Sequence, residues 1–178
     1  MKTYTIVSGV DGVGKTSLLG VLVAVKYDMG IIIDCDLVDD AVAIERINTS
    51  LEKGINFTQE TTLSGRFTLK TIQRARELNY FIRLYYVGVN TAEESLKRIK
   101  NRVEKGGHDI PSDDVIRRYS KRFDDLTAVL PYCDEVYLYD NENGFVEVAE
   151  YKNGTLVIKC SVVPEWLVQL EKYLNDIK

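Results

Sequence analysis

The feature that most constrains the fold of this chain is the stretch GVDGVGKT, residues 9–16, directly behind the first apolar run. It matches the spacing G-x-x-x-x-G-K-[ST] and lies between a predicted strand over residues 3–8 and a predicted helix over residues 16–27. Glycines in such a loop allow its backbone N–H groups to surround a phosphate group. The alternative is a glycine-rich turn with a surface lysine, but the position between a strand and a helix favours a phosphate site.

This loop therefore predicts a nucleoside triphosphate site. The lysine reaches the terminal phosphates and the threonine hydroxyl is a ligand for Mg²⁺. The predicted nucleotide contacts are Gly9, Val10, Asp11, Gly12, Val13, Gly14, Lys15, Thr16 and Ser17.

Predicted strands and helices alternate along most of the chain. Further strands are predicted at 31–34, 56–59, 80–89 and 136–139, and helices at 39–53, 91–105 and 112–129, with another helix ending near residue 79. A hairpin with strands at 145–151 and 155–161 follows, joined by an Asn-Gly turn, and a last helix begins near Pro164. The alternation predicts a three-layer α/β fold with a mainly parallel central sheet and an antiparallel hairpin at one edge.

Composition limits the number of domains, the partners and the compartment. A chain of 178 residues is normally one domain, so residues 1–178 are predicted to form a single one. The net charge of −4 argues against a general nucleic-acid binder. No apolar run is long enough to cross a membrane, and the start of the chain lacks signal-peptide features. Cys35, Cys133 and Cys160 fit neither a disulfide framework nor a zinc site, which predicts reduced thiols in a cytoplasmic protein.

Acidic and hydroxyl side chains follow two of the predicted strands, where ligands bind in sheets of this type. Asp36 comes shortly after the second strand and is a candidate base for the proton of an attacking hydroxyl. The alternative is that the acids there only end the strand and cap the next helix. Glu60, Thr61 and Thr62 follow the third strand and could hold a magnesium-bound water or a substrate hydroxyl. The alternative for these residues is a helix N-terminus, for which Ser64 would serve as the cap.

A second informative stretch covers residues 106–122. The glycines at 106–107 permit a hinge, and Arg117 and Arg118 lie one turn into the helix that follows. On a hinged lid these arginines, joined by Arg102, would neutralise a transferring phosphoryl group. The alternative is structural, because the aspartates at 113–114 stand four residues before the two arginines and form i,i+4 pairs on any exposed helix.

Taken together, the spacing of these motifs resembles the zeta toxin-like P-loop kinases, in particular a bacterial branch of small predicted ATPases. The motifs span about four fifths of the chain and are GVDGVGKT, the acid Asp36, NFTQETTLSG, RIKNRVEKGGHDIPSDDVIRRY and YDNENG. The resemblance implies a P-loop NTPase fold similar to nucleotide kinases, with a mobile helical lid at about 104–122. A C-terminal hairpin and helix at about 145–178 complete the predicted domain.

The same resemblance implies roles for individual residues. Lys15 and Thr16 would bind the phosphates and Mg²⁺, Asp36 would be the base, and Glu60 and Thr61 would lie near the acceptor. Glu60 is also a candidate magnesium ligand, and Arg102, Arg117 and Arg118 resemble the lid arginines. The best-understood members of the family phosphorylate a sugar hydroxyl of UDP-N-acetylglucosamine with ATP and Mg²⁺.

One departure from the family concerns Asp11, which stands where asparagine is common. An extra negative charge near a triphosphate weakens anion binding unless Mg²⁺ or a cation offsets it.

The function expected from these residues is transfer of the ATP γ-phosphoryl group to a hydroxyl of a small molecule. A UDP-amino sugar is one candidate for this acceptor. Two alternatives stay open: a nucleoside or nucleotide kinase, and a nucleotide-dependent ATPase switch without a small-molecule acceptor. No nucleic acid or membrane partner is expected, and no residue of the sequence supports an antitoxin-like protein partner.

Overall fold

The computed structural model describes residues 1–25, 28–35 and 37–177, and within them seven strands form one sheet. The strands are β1 (Thr3–Ser8), β2 (Ile31–Asp34), β3 (Phe57–Thr61), β4 (Phe81–Val87), β5 (Glu135–Asp140), β6 (Val146–Lys152) and β7 (Thr155–Ile158). The helices are α1 (Lys15–Ala24), α2 (Asp40–Lys53), α3 (Arg66–Glu77), α4 (Ala92–Glu104), α5 (Ser112–Ser120), α6 (Arg122–Val129) and α7 (Glu165–Asp176). Within the described ranges, every helix is too short or too polar to span a lipid bilayer.

The strand order across the sheet is β2-β3-β1-β4-β5-β6-β7. The first five strands in this order are parallel, and β6 and β7 are antiparallel additions at one edge. The turn between β6 and β7 contains Asn153 and Gly154, both with positive φ as a type I′ turn requires. The predicted mainly parallel sheet with a terminal hairpin is therefore confirmed.

The core lies in two layers, one on each face of the sheet. Along β1, Tyr4 and Ile6 pack into the larger cluster and Val7 packs into the smaller one, because successive side chains of a strand alternate. Buried side chains of α2, α3, α6 and α7 fill the larger cluster, and the apolar side chains of α1 fill the smaller one. The predicted three-layer α/β fold is confirmed.

The predicted helix over 112–129 is wrong in one respect, because the structure divides it into α5 and α6 at Lys121. The sequence offers no glycine or proline there, so its periodicity predicts a continuous helix. Long-range contacts hold both sides of the break: the Tyr119 hydroxyl donates to the Asn90 carbonyl, and the Arg122 guanidinium donates to the Gln169 side chain at 2.7 Å. The other predicted elements agree with the structure to within a few residues, but the predicted end of the first helix, at 26–27, lies outside the described residues.

The C-terminal helix is anchored beside the carboxyl ends of β4 and β5. Trp166, at its start, is fully buried, and its indole N–H donates a 2.8 Å hydrogen bond to Asp140. The indole lies against Gly88, where an added Cβ would come within 2.1 Å of the ring. The helix therefore supports the end of the sheet at which the phosphate-binding loop lies.

Candidate functional site

The glycine-rich loop connects β1 to α1 and is held from below by the side chains of Val10 and Val13, both buried in the smaller core cluster. Gly9 and Gly12 permit close contacts on either side. A Cβ on Gly9 would lie 2.4 Å from the Val87 carbonyl oxygen, and one on Gly12 would lie 2.8 Å from the Ser95 carbonyl oxygen. The loop is therefore fixed against both β4 and α4.

The N-terminus of α1 opens from this loop without a side-chain cap. Its first backbone N–H groups lack partners within the helix, which makes such an end a ready anion site. Lys15 is only 6% exposed and its Nζ donates to the Val10 carbonyl at 3.3 Å, so its charge is held over the loop.

A cavity of about 490 Å³, the main cavity, lies above the loop. It brings together the loop, the ends of β2 and β3, α4 and the segment leading into α5. Its lining residues are Asp11, Gly12, Gly14, Lys15, Thr16, Ser17, Asp34, Leu37, Glu60, Arg98, Arg102, His108, Asp109, Ile110, Pro111, Asp114 and Arg118.

Thr16 and Glu60 form an oxygen-rich pair in the main cavity. The Thr16 hydroxyl donates to Oε1 of Glu60 at 2.8 Å, and the Glu60 residue is 3% exposed. Asp34 is the register partner of Glu60 on the neighbouring strand. Within the described parts of the chain, no three His, Cys, Asp or Glu side chains cluster as a metal site. Mg²⁺ usually takes one or two protein oxygens and completes its shell with water and phosphate, so the pair fits this ion.

Arg118 extends from α5 to the phosphate-binding loop. Its Nη1 lies 3.1 Å from each carboxylate oxygen of Asp11, and Asp11 is only 1% exposed. The Nε of Arg118 is buried and has no hydrogen-bond partner among the described residues. Arg118 thus supplies the cation that offsets the extra negative charge of Asp11.

The i,i+4 pairs considered for α5 are wrong. Arg117 instead donates to Asp114, three residues earlier, at 2.6 Å, and this contact lowers the pKa of the Asp114 carboxyl below its usual value. The Arg117 side chain is 56% exposed and does not line the main cavity. The two neighbouring arginines thus differ in their surroundings: Arg117 faces solvent and Arg118 faces the loop.

A second cavity of about 300 Å³, the side cavity, lies between α2, β3 and α3. Its lining includes Asp40, Thr61, Thr62, Phe67 and Arg118. The Thr61 hydroxyl is already engaged, since it lies 3.3 Å from the hydroxyl of Thr68 and accepts from the Leu63 N–H. Thr61 and Thr62, which were predicted to contact the phosphoryl acceptor, thus line a cavity next to the main one.

Capping of α3 differs from the expectation. The N-cap is Gly65, which provides no side-chain hydrogen bond, and the Ser64 hydroxyl lies 2.8 Å from the hydroxyl of Thr62 instead. The first turn of α3 therefore keeps backbone N–H groups without a side-chain cap.

A third cavity of about 360 Å³, the basic cavity, lies at this uncapped end of α3. Its charged lining residues are Arg66, Arg117, Arg118, Lys121 and Asp125. Four cations against one carboxylate give it a positive potential. Arg118 lines all three cavities and so marks the place where they meet.

No protein-family model matches this chain. An uncharacterized protein of Haemophilus influenzae is 39% identical over 77 residues, which cover 43% of this chain and 55% of that protein. The chain thus matches about half the length of this curated relative.

Solved structures show the fold. A chain of the AvrRxo1-ORF1:AvrRxo1-ORF2 complex with sulphate ions superposes with a TM-score of 0.62 at 16% identity, over 90% of this chain and 62% of that one. A structure of the same complex with ATP gives 0.58 at 16% identity, over 89% and 61%. A chain of the PezAT chromosomal toxin–antitoxin system of Streptococcus pneumoniae gives 0.59 at 17% identity, over 99% and 84%. The chain therefore shares the α/β fold of these three structures.

Within this fold, the predicted residues separate into four groups. The residues that line the main cavity are Asp11, Gly12, Gly14, Lys15, Thr16, Ser17, Glu60, Arg102 and Arg118. Thr61, Thr62 and Arg117 line its neighbours. The predicted nucleotide contacts that line none of the three cavities are Gly9, Val10 and Val13. Asp36, the predicted base, lies outside the described residues.

The sequence reasoning missed Arg98 and Asn141. No role was predicted for either residue, but Arg98 lines the main cavity, and its guanidinium donates to the Asn141 carbonyl at 2.9 Å. The Asn141 side-chain amide in turn donates to the Val13 carbonyl of the P-loop at 2.9 Å. The four-residue spacing from Arg98 to Arg102 was a usable signal, because it places both on one face of α4.

Proposed function

We propose that this chain is a magnesium-dependent kinase that transfers the γ-phosphoryl group of ATP to a hydroxyl of a small molecule. The observation that carries the proposal is the position of Arg118, which lines the main cavity and the side cavity at once. A donor bound in one cavity and an acceptor in the other would meet at this cation. Positively charged groups at such a point stabilise the charge of a transferring phosphoryl group.

The P-loop and Lys15 would hold the triphosphate in the main cavity, with Arg98 and Arg102 on its other side. Thr16 and Glu60 would hold Mg²⁺, which when bound neutralises phosphate charge. The segment at about 104–122 would act as the lid, because it carries Arg118 and five further lining residues of the main cavity.

Asp36 would accept the proton of the acceptor hydroxyl, since it comes two residues after the end of β2 in the sequence. The hydroxyl oxygen forms a bond to the γ-phosphorus while the bond from that phosphorus to the β–γ bridging oxygen breaks. The products are a phosphate monoester and ADP, and the proton rests on Asp36 before release to water.

The acceptor class follows from the cations around the basic cavity. A phosphate-bearing acceptor would place its anionic group there, which suits a UDP-amino sugar or, as the alternative, a nucleotide. A pure ATPase switch has no use for a second polar cavity beside the donor site. Cys35, Cys133 and Cys160 are reduced thiols, as expected of a cytoplasmic protein.

One fold neighbour belongs to a toxin–antitoxin system, so an antitoxin-like protein is a partner to be sought.

The test is ADP formation from ATP and Mg²⁺, measured with and without UDP-N-acetylglucosamine and a set of nucleoside monophosphates. We expect ADP to appear at an appreciable rate only when an acceptor is present, and the Lys15→Ala protein to show none. Hydrolysis at the same rate with and without every acceptor would contradict a kinase and favour a switch.

A further inference from the structure

The Asp11–Arg118 ion pair links two parts of the site that are 107 residues apart in the chain. Asp11 belongs to the P-loop, whose other groups attract phosphate. A buried carboxylate there opposes nucleotide binding unless a cation neutralises its charge. The partner is a single nitrogen of Arg118, Nη1, which lies 3.1 Å from both carboxylate oxygens.

Another donor of this guanidinium, Nε, is not satisfied. Its Nε is buried without a hydrogen-bond partner among the described residues, and the side chain is 26% exposed. A buried N–H group without a partner is unfavourable, and one that persists calls for a ligand or another explanation. Because a guanidinium is rigid and planar, anchoring Nη1 restricts the directions in which its other N–H groups can donate.

We propose that Asp11 is a positioning residue that holds Arg118 so that its remaining donors face the terminal phosphoryl group of the bound nucleotide. The inference rests on the proposed function, because it assigns Arg118 to the γ-phosphate. Through this contact the ion pair makes the site prefer ATP over ADP. The carboxylate thus contributes to recognition indirectly, although its charge alone would repel the nucleotide.

The test is calorimetric binding of Mg·ATP and Mg·ADP to the wild-type protein and to the Asp11→Asn, Arg118→Ala and doubly substituted proteins. Asparagine keeps the size of the side chain and removes its charge, and thermal melting checks that each variant is folded. Asp113→Asn is the matched control, because Asp113 is an exposed carboxylate on the same helix that carries Arg118.

We expect Arg118→Ala to reduce the preference for ATP over ADP by roughly tenfold or more, the size of one lost charge-assisted hydrogen bond. Asp11→Asn should reduce the same preference. The double substitution should lower it no further than Arg118→Ala does, because both substitutions disrupt the same ion pair. The control should keep the wild-type preference.

Tighter ATP binding by Asp11→Asn, additive losses, or no ATP preference in the wild type would overturn the inference. Nucleotide binding is measured without turnover, so the test of Asp11 does not depend on whether the protein is a kinase. A wild type that prefers ATP but phosphorylates no acceptor would contradict only the kinase. A wild type that phosphorylates an acceptor, with an unchanged preference in Asp11→Asn, would contradict only the role of Asp11.

Discussion

The hydroxyl of Thr16 donates a 2.8 Å hydrogen bond to Oε1 of Glu60 and so joins the start of α1 to the end of β3. The two residues are 44 positions apart in the chain, and parallel pairing of β1 with β3 brings them together. This contact places two hard oxygen atoms, of the kind that Mg²⁺ prefers, beside the P-loop.

Replacing Glu60 by Gln should therefore raise the Mg²⁺ concentration needed for tight ATP binding by about tenfold, since a charged ligand is lost while an oxygen remains. Titration of Mg²⁺ at fixed ATP, followed by a fluorescent ATP analogue, measures the shift. Glu52→Gln is the control, because Glu52 is an exposed carboxylate paired with Arg74. An unchanged Mg²⁺ requirement in Glu60→Gln would remove Glu60 from the metal site.

The two adjacent arginines of α5 should respond differently to substitution. Arg118→Ala should slow phosphoryl transfer roughly 100- to 1,000-fold, as expected for the loss of a donor to developing charge. Arg117→Ala should change the rate much less, because this side chain is 56% exposed and pairs with Asp114. Steady-state rates with a saturating acceptor provide the comparison, and equal losses would contradict the assignment of Arg118.

Packing of α7 on the sheet gives a prediction about stability. Gly88→Ala should lower the free energy of unfolding by about 2 kcal/mol or more, because the new methyl group would lie 2.1 Å from the Trp166 ring. Gly20→Ala is the matched control on the exposed side of α1, where nothing lies within 4 Å of an added Cβ. It should raise that free energy by about 0.5–1 kcal/mol through helix propensity. Urea denaturation measures both, and destabilisation of equal size would show that the position of the glycine does not matter.

The hairpin gives a prediction about pH. Glu150 accepts hydrogen bonds from Lys152 and Lys159, and these contacts lower the pKa of its carboxyl. Because the folded-state pKa lies below that of the unfolded chain, near 4.3 for Glu, the stabilisation is complete above that pH and is lost as the pH falls through the folded value. Glu150→Gln should thus be less stable than wild type at pH 7, and the difference should shrink by pH 3. A difference that is constant between the two pH values would show that the charge plays no part.

Local patterns were sufficient to predict most of the fold. Asp39 accepts from the Ala41 N–H and Gly54 has a left-handed conformation at the other end of α2, so both ends of this helix could be predicted from residue type. The P-loop is recognisable for the same reason, since its spacing reflects local backbone geometry.

Contacts between distant parts of the chain could not be predicted in this way. Arg118 has an aspartate four residues earlier, and only the packing of α5 shows that it reaches Asp11 instead. The contact of Asn141 with Val13 spans 128 positions and leaves no local pattern. The break at Lys121 likewise depends on tertiary packing and not on a helix-breaking residue.

The central claim is phosphoryl transfer from ATP to a small-molecule hydroxyl, and phosphorus NMR tests it most directly. The protein is incubated with ATP, Mg²⁺ and a mixture of acceptors that includes UDP-N-acetylglucosamine and nucleoside monophosphates, beside a Lys15→Ala control. We predict a new phosphate ester signal, together with ADP, that is absent from the control and disappears when one acceptor is omitted. Inorganic phosphate and ADP without any new ester, at a rate independent of the acceptors, would contradict the claim.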